Sequence, residues 1–381
     1  MRTPAVAAAL VLAIISQAPA EDPPKPPQPA VATPQAKPEE AAGPVGVEAL
    51  QQEADRIRPL LKSDLARSLL APVPGLPRIE PRKLYVNKET RTWYTPAERD
   101  ALPEADRAKL TEVTRDEQFY YTTRYGTPLA YTRPLDLLHE RAPAAMNSLA
   151  DAHILDYGYG TIGQLRLMAM NGAHVIGMDN DSALAKLYSA PGDTGEVAAW
   201  KAPPAPGAPA NRLRRAPGDI TLCTGRFPVD PGCTPADIRK LAPDGLDLFI
   251  SKNTLKNGYI HPAQPVDKRL LVDLGTTEEA FLIAVRDTLK QGGCFLIYNL
   301  SPAPSKPGEP YKHWADGHCP FTKQQLEAAG FEVIVYDEND DKAAREMARA
   351  LGWDKDGMDV ENDLFAHWTL ARRTDKPTMT K

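Results

Sequence analysis

Residues 153–163 read HILDYGYGTIG. His153 to Tyr157 form a short, mostly apolar run of strand length, and Gly158, Gly160 and Gly163 follow in the pattern G-x-G-x-x-G. Residues 161–171 then carry a helical pattern, with Leu165, Met168 and Ala169 on one face. The glycines let the backbone turn sharply and come close to a ligand, while the start of a helix offers unpaired N–H groups. The pattern alone says little. A strand before it and a helix after it give it meaning.

Downstream, HVIGMD (174–179) reads as a second strand, followed by a helix from Asp181 to Ser189. Asp179 ends that strand, where a carboxylate can accept both hydroxyls of a ribose. It can also serve as a cap for the helix that begins near Asp181. Strand patterns recur at ITLC (220–223), LDLFIS (246–251), CFLIYNL (294–300), FEVIVYD (331–337) and LFAHWTLAR (364–372). Helical patterns lie near 234–242, 276–290, 321–330 and 340–351, and a Pro/Ala-rich excursion occupies 201–217. Strands alternating with helices predict an α/β fold: a doubly wound, mainly parallel sheet with both faces covered.

Upstream the pattern changes. Residues 46–149 read as an N-terminal helical or lid region, with Leu50, Ala54, Ile57, Leu61, Leu65 and Leu69 mostly at three- and four-residue steps. Thr95-Pro96-Ala97-Glu98 has the form of a helix start. Residues 119–138 crowd Phe119, Tyr120, Tyr121, Tyr125 and Tyr131 around Arg124 and Arg133. Such a stretch packs on the neighbouring domain, or it is a lid whose hydroxyls and guanidinium groups touch a ligand. On the second reading Tyr125 and Tyr131 are substrate-binding candidates.

The first twenty residues have Arg2, an apolar run from Ala5 to Ile15 and a small-x-small end at Ala18-Pro19-Ala20, the form of a signal peptide. That predicts an exported, periplasmic or secreted protein. The apolar run is shorter than the roughly 20 residues a spanning helix needs, and no later run is longer, so no stable membrane insertion is expected after cleavage. Residues 21–45 are rich in Pro with few apolar side chains, the composition of a disordered linker, and 373–381 reads as a flexible tail. A net charge of -5 argues against a general nucleic-acid partner and leaves a small-molecule substrate. Cys223 and Cys233 can bridge in an oxidising space, but connectivity is not legible from spacing.

ILDYGYGTIGQ (154–164) resembles the first motif of the class I S-adenosylmethionine-dependent methyltransferases, with Asp156 as the acidic residue before the glycines. GLDLFISKN (245–253) is similar to their fourth strand, LKQGGCFLIYN (289–299) to their fifth, and AGFEVIVYD with LFAHWTLARR to their last two. The match runs over about 150–372. It implies a Rossmann-like sheet of seven strands, the last inserted antiparallel, and S-adenosyl-L-methionine as cofactor. Asp156, Gly158, Gly160 and Gly163 would surround its methionine end, Asp179 would hold the ribose, and Asn180 or Met178 would lie near the adenine. The family's acidic residue after the third strand has no counterpart in Cys223 to Phe227, and Phe227 is the substitute expected to stack on the base. The absence of Asn-Pro-Pro-aromatic after the fourth strand disfavours methylation of adenine or glutamine amino groups. The alternatives are an adenosyl-binding protein without turnover and an NAD-dependent oxidoreductase.

Methyl transfer needs an aligned nucleophile and, for a hydroxyl, a proton acceptor. The segment SKNTLKNGYIHP after the fourth strand offers Ser251, Lys252, Asn253, Lys256, Tyr259 and His261; Lys256, Tyr259 and His261 are the catalytic candidates, with His261 as base because its unperturbed pKa near 6.5 suits the task. The same segment reads equally as a solvated connector. Asn253, Tyr298 and Trp314 complete the substrate-binding candidates. His313, Asp316, His318 and Cys319 match no zinc spacing, so no metal is expected.

Overall fold

Ile154 and Leu155 are adjacent and both fully buried, so the strand that carries them is covered on its two faces. The structure of the chain, a computed structural model, describes residues 46–121, 127–201 and 216–374. The leader at 1–20, the linker at 21–45, Tyr125 and nearly all of the tail lie outside the described residues, as does most of the Pro/Ala-rich excursion.

Eleven strands occur among the described residues: β1 (Arg82–Asn87), β2 (Thr92–Tyr94), β3 (Leu110–Arg115), β4 (His153–Tyr157), β5 (His174–Asp179), β6 (Gly195–Val197), β7 (Gly218–Thr224), β8 (Leu246–Lys252), β9 (Leu289–Ser301), β10 (Phe331–Asn339) and β11 (Phe365–Arg373). The large sheet has the order β10-β11-β9-β8-β4-β5-β7-β6. Pairs β7–β5, β5–β4, β4–β8 and β8–β9 are parallel. The last strand, β11, is inserted antiparallel between β9 and β10.

The doubly wound α/β expectation therefore holds, with two differences. The sheet has eight strands and not seven, because Gly195–Val197 adds a three-residue antiparallel edge to β7. Three residues, one of them Gly, leave no periodicity to read. The N-terminal region is also not purely helical: β2, β1 and β3 form a separate antiparallel sheet beside its helices.

Side-chain alternation divides the core. Ile154, Val175, Leu248, Ile250 and Leu296 face one cluster, which also contains Leu50, Leu65, Leu69 and Leu135 of the N-terminal segment and Leu165 of the helix Gly163–Ala169. Leu155, Ile176, Phe249, Phe295 and Ile297 face the other, with Phe281, Leu282 and Leu326 from helices Glu278–Thr288 and Lys323–Ala328. The N-terminal segment thus fills one face of the sheet, burying apolar area at about 25 cal/mol per Å². Its attachment is also ionic. The fully buried Asp193 carboxylate pairs with Arg82 of β1 and with Arg166 of the helix Gly163–Ala169 (2.7 Å).

Helix starts follow local chemistry. Thr95 and Glu98 form the expected capping box, and Thr234 with Asp237 and Thr322 with Gln325 form two more.

Candidate active site at the carboxyl ends of β4, β5 and β8

From β4 the chain winds to β5 and β7 on one side, then returns to β8 on the other. Such a reversal opens a crevice beyond the carboxyl ends of the strands. The loop after β4 turns into it with left-handed Gly158 (φ 76°) and Gly160 (φ 58°). Gly158 N–H donates to Met178 O at the end of β5 (2.7 Å). A Cβ on Gly158 would lie 2.0 Å from Thr254 Oγ1, whereas one on Gly160 would meet nothing within 4 Å. Gly163 serves a different purpose. It opens the helix and faces Tyr120 O, Pro128 and Tyr121 at 3.1–3.2 Å, so its lack of a side chain admits the N-terminal segment.

Asp156 is wholly buried behind the loop. Its carboxylate accepts from Tyr131 Oη, which lies 3.0 and 2.8 Å from the two oxygens, and from Gln164 Nε2 (3.0 Å). Burial raises its pKa to about 6, against the pull of those two donors and of the Lys252 charge. Gln164 Nε2 also donates to Tyr159 O (2.7 Å), tying the acid to the loop.

Asp179 sits at the edge of the crevice. It accepts from Asp181 N (2.9 Å), and burial raises its pKa against the opposing pull of backbone N–H groups nearby. The helix Ser182–Leu187 is capped by Asp181, whose Oδ1 accepts from Ala183 N (2.8 Å). Capping therefore does not occupy Asp179.

Two cavities flank Thr254 and Gly158, which line both. One of about 80 Å³ has Asp179, Asn180, Met178, Leu271, Val272 and Arg226 in its wall. The other, of about 250 Å³, is walled by Tyr131, residues 158–161 and Lys252 to Thr254. Lys252 is 5% exposed, its Nζ 5.4 Å from the Tyr131 ring centroid, and burial lowers its pKa to about 8. Asn253 takes a left-handed φ of 66° held by its side chain, whose Oδ1 accepts from Leu300 N (2.7 Å).

The other candidates fall elsewhere. Lys256 Nζ is buried and donates to Leu300 O (2.6 Å), with Trp314 O at 3.5 Å; burial, then the nearby Lys252 charge, lowers its pKa to about 7. Tyr259 stands edge-on to His313, with ring centroids 5.5 Å apart. His261 Nε2 faces Pro320 O (3.2 Å) and Glu278 (3.1 Å). None of the three lines either cavity. The turn that carries them is a packing junction: Asn257 N–H donates to His318 O and Gly258 N–H to Asp316 O.

Tyr298 is equally diverted, its hydroxyl donating to Asp340 (3.1 Å), which pairs with Arg133. Trp314 is 41% exposed beside His313 and lines neither cavity. Phe227 is fully buried against Phe249 and Phe281, so it is part of the core and does not face the crevice as a stacking ring. All four cysteines are thiols, so Cys223 and Cys233 are not bridged here.

Thr254, Tyr159 and Gln164 are lining or supporting residues that motif reading left out of the site, whereas Lys252 belongs to the segment SKNTLKNGYIHP that it singled out. Lys252 continues the inward parity of Leu248 and Ile250 along β8.

No protein-family model matches the chain, and no curated protein matches it. Solved structures do. An S-adenosylmethionine-dependent methyltransferase from Mesorhizobium loti is 14% identical, with 62% of this chain and 97% of that one covered and a TM-score of 0.31. The phospholethanolamine N-methyltransferase 2 of Haemonchus contortus, crystallised with phosphomonomethylethanolamine and S-adenosylhomocysteine, is 14% identical over 68% of this chain and 56% of that one, at a TM-score of 0.35. The cyclase SpnF is also similar, at 14% identity, 87% and 97% coverage and a TM-score of 0.33. These are similarities at low TM-score, and the chemistry rests on the crevice itself.

Proposed function

We propose that the chain is a methyltransferase that binds S-adenosylmethionine in this crevice and passes its methyl group to a small-molecule acceptor. One observation carries the reading. The left-handed loop at Gly158 and Gly160 is tied by Gly158 N–H to Met178 O, the residue before the carboxylate of Asp179, at the switch point of a doubly wound sheet.

The residues present fit an adenosyl sulfonium. Asp179 supplies acceptors for ribose hydroxyls, Met178, Leu271 and Val272 give the smaller cavity an apolar wall for a base, and the open face of Gly160 leaves room at the loop. The ligand contributes an electrophilic methyl carbon. The protein's part is to orient it: Tyr131 and Tyr159, both nearly buried, line the larger cavity, and Gln164 fixes the loop against Asp156. The leader-like residues 1–20 support action outside the cytoplasm.

Calorimetry with S-adenosylmethionine, S-adenosylhomocysteine and NAD tests the reading. The two adenosyl ligands are expected to bind, NAD is not, and Asp179→Ala should weaken binding at least several-fold. Unchanged affinity in that variant removes the ribose assignment; binding of NAD alone favours an oxidoreductase.

A further inference from the structure

A buried cation at a site meant for another cation calls for an explanation. Lys252 ends β8, is 5% exposed and lines the larger cavity together with Tyr131, whose ring centroid lies 5.4 Å from its ammonium. The charged and titratable groups around it come from every neighbouring element. Asp156 lies on β4, Tyr131 on the N-terminal segment, Lys256 on the following turn, and Tyr298 directly across in β9. Among the described residues Asp156 is the one carboxylate in that set, and it also accepts from Tyr131 and Gln164. Lys256 is committed to Leu300 O. Two lysines against one acid leave the cluster with excess positive charge in a medium of low polarity, where charge is costly.

A sulfonium entering this cavity adds a further positive charge, and the cheapest relief is loss of a proton from the lysine that faces it. We propose that Lys252 is the proton-accepting group of the crevice: it becomes a neutral amine when a sulfonium ligand binds, and that amine takes the proton of the methyl acceptor. The inference rests on the reading of the crevice as a methyl-donor site. In the transfer, the O–H or N–H proton of the acceptor passes to Lys252 Nζ as the acceptor atom bonds to the methyl carbon. The carbon–sulfur bond leaves its electron pair on sulfur. With the positive charge gone from the sulfur, the ammonium is tolerated again and returns its proton to solvent. The lowered pKa of Lys252, about 8, already inclines it this way before any ligand is present.

Proton linkage tests this without turnover. Binding of S-adenosylmethionine and of S-adenosylhomocysteine is measured by calorimetry near pH 7 in buffers of different ionisation heat, on the wild-type chain and on Lys252→Met. The sulfonium ligand is expected to release about one proton more than the neutral thioether from the wild-type protein, and its affinity to rise with pH over the lysine titration. Lys252→Met should abolish the difference. Equal proton release by the two ligands on the wild-type protein overturns the proposal, and that comparison needs no variant to fold. A difference that persists in Lys252→Met overturns it too and points to another group. Binding of neither ligand by the wild-type chain removes the methyl-donor reading and this inference together, whereas binding of both with equal proton release removes only the inference.

Discussion

Tyr131 Oη lies 2.8 and 3.0 Å from the two oxygens of Asp156, so a side chain from the N-terminal segment completes the environment of the acid that precedes the glycine loop. The two residues are 25 positions apart, and both are buried. The bond makes the segment part of the site's electrostatics as well as a cover for one face of the sheet.

Tyr131→Phe removes that donor and leaves the ionised carboxylate with Gln164. A buried acceptor that loses a partner costs about 1–3 kcal/mol. Because the acid titrates near pH 6 in the folded chain, the loss should be larger at pH 8, where it is ionised, than at pH 5, where it is mostly protonated. Urea unfolding at the two pH values checks this, and a loss independent of pH would contradict it.

The two left-handed glycines should respond differently to a methyl group. Gly160→Ala meets open space and incurs only the backbone penalty, about 1–2 kcal/mol. Gly158→Ala adds a contact 2.0 Å from Thr254 Oγ1, and overpacking brings a further 1–3 kcal/mol or so. Thermal melts of both variants, with Gly158→Ala also made in a Thr254→Ala background that removes Oγ1, measure the gap. Equal losses would show that Thr254 yields freely.

Asp193 binds Arg82 and Arg166 from a position of complete burial. Asp193→Asn leaves two cations facing each other where one acid held them, and should cost about 3 kcal/mol. Adding Arg82→Met is expected to recover part of the loss. Denaturant unfolding of the single and double variants decides the matter; an additive result would deny the coupling.

Lys252 has a folded pKa of about 8, below its ordinary 10.5. Between those values the unfolded chain binds more protons than the folded one, so this group's contribution to stability rises with pH and is lost as pH falls through 8. Relative to Lys252→Met, the wild-type protein should gain about 2 kcal/mol from pH 8 to pH 10. Parallel stability measurements over that range test the sign. A gap that widens in the opposite direction would mean that the folded chain holds the proton more tightly.

Much of the fold was legible because its signals are local. The runs HILDY, HVIGMD and LDLFIS have the length and polarity of covered strands, and Thr95 and Glu98 declare a helix start within four residues. The loop at Gly158 and the position of Asp179 at a strand end were legible for the same reason. The edge strand Gly195–Val197 was not, since it is defined by its partner β7 and by no pattern of its own. His261 looked suited to proton transfer by residue type, yet its surroundings are set by Glu278 and Pro320, 17 and 59 positions away in the chain.

The sequence by itself determined the alternation of strand and helix and the glycine turn between the first pair, because hydrophobic period and backbone freedom are properties of neighbouring residues. Tertiary structure alone decided which polar groups enter the crevice. Tyr131 reaches Asp156, Lys252 turns inward, and Lys256, Tyr259 and His261 are drawn into a junction with residues 311–320. The physical reason is that a side chain's charge and reach are fixed by the elements packed against it, and these come from distant parts of the chain.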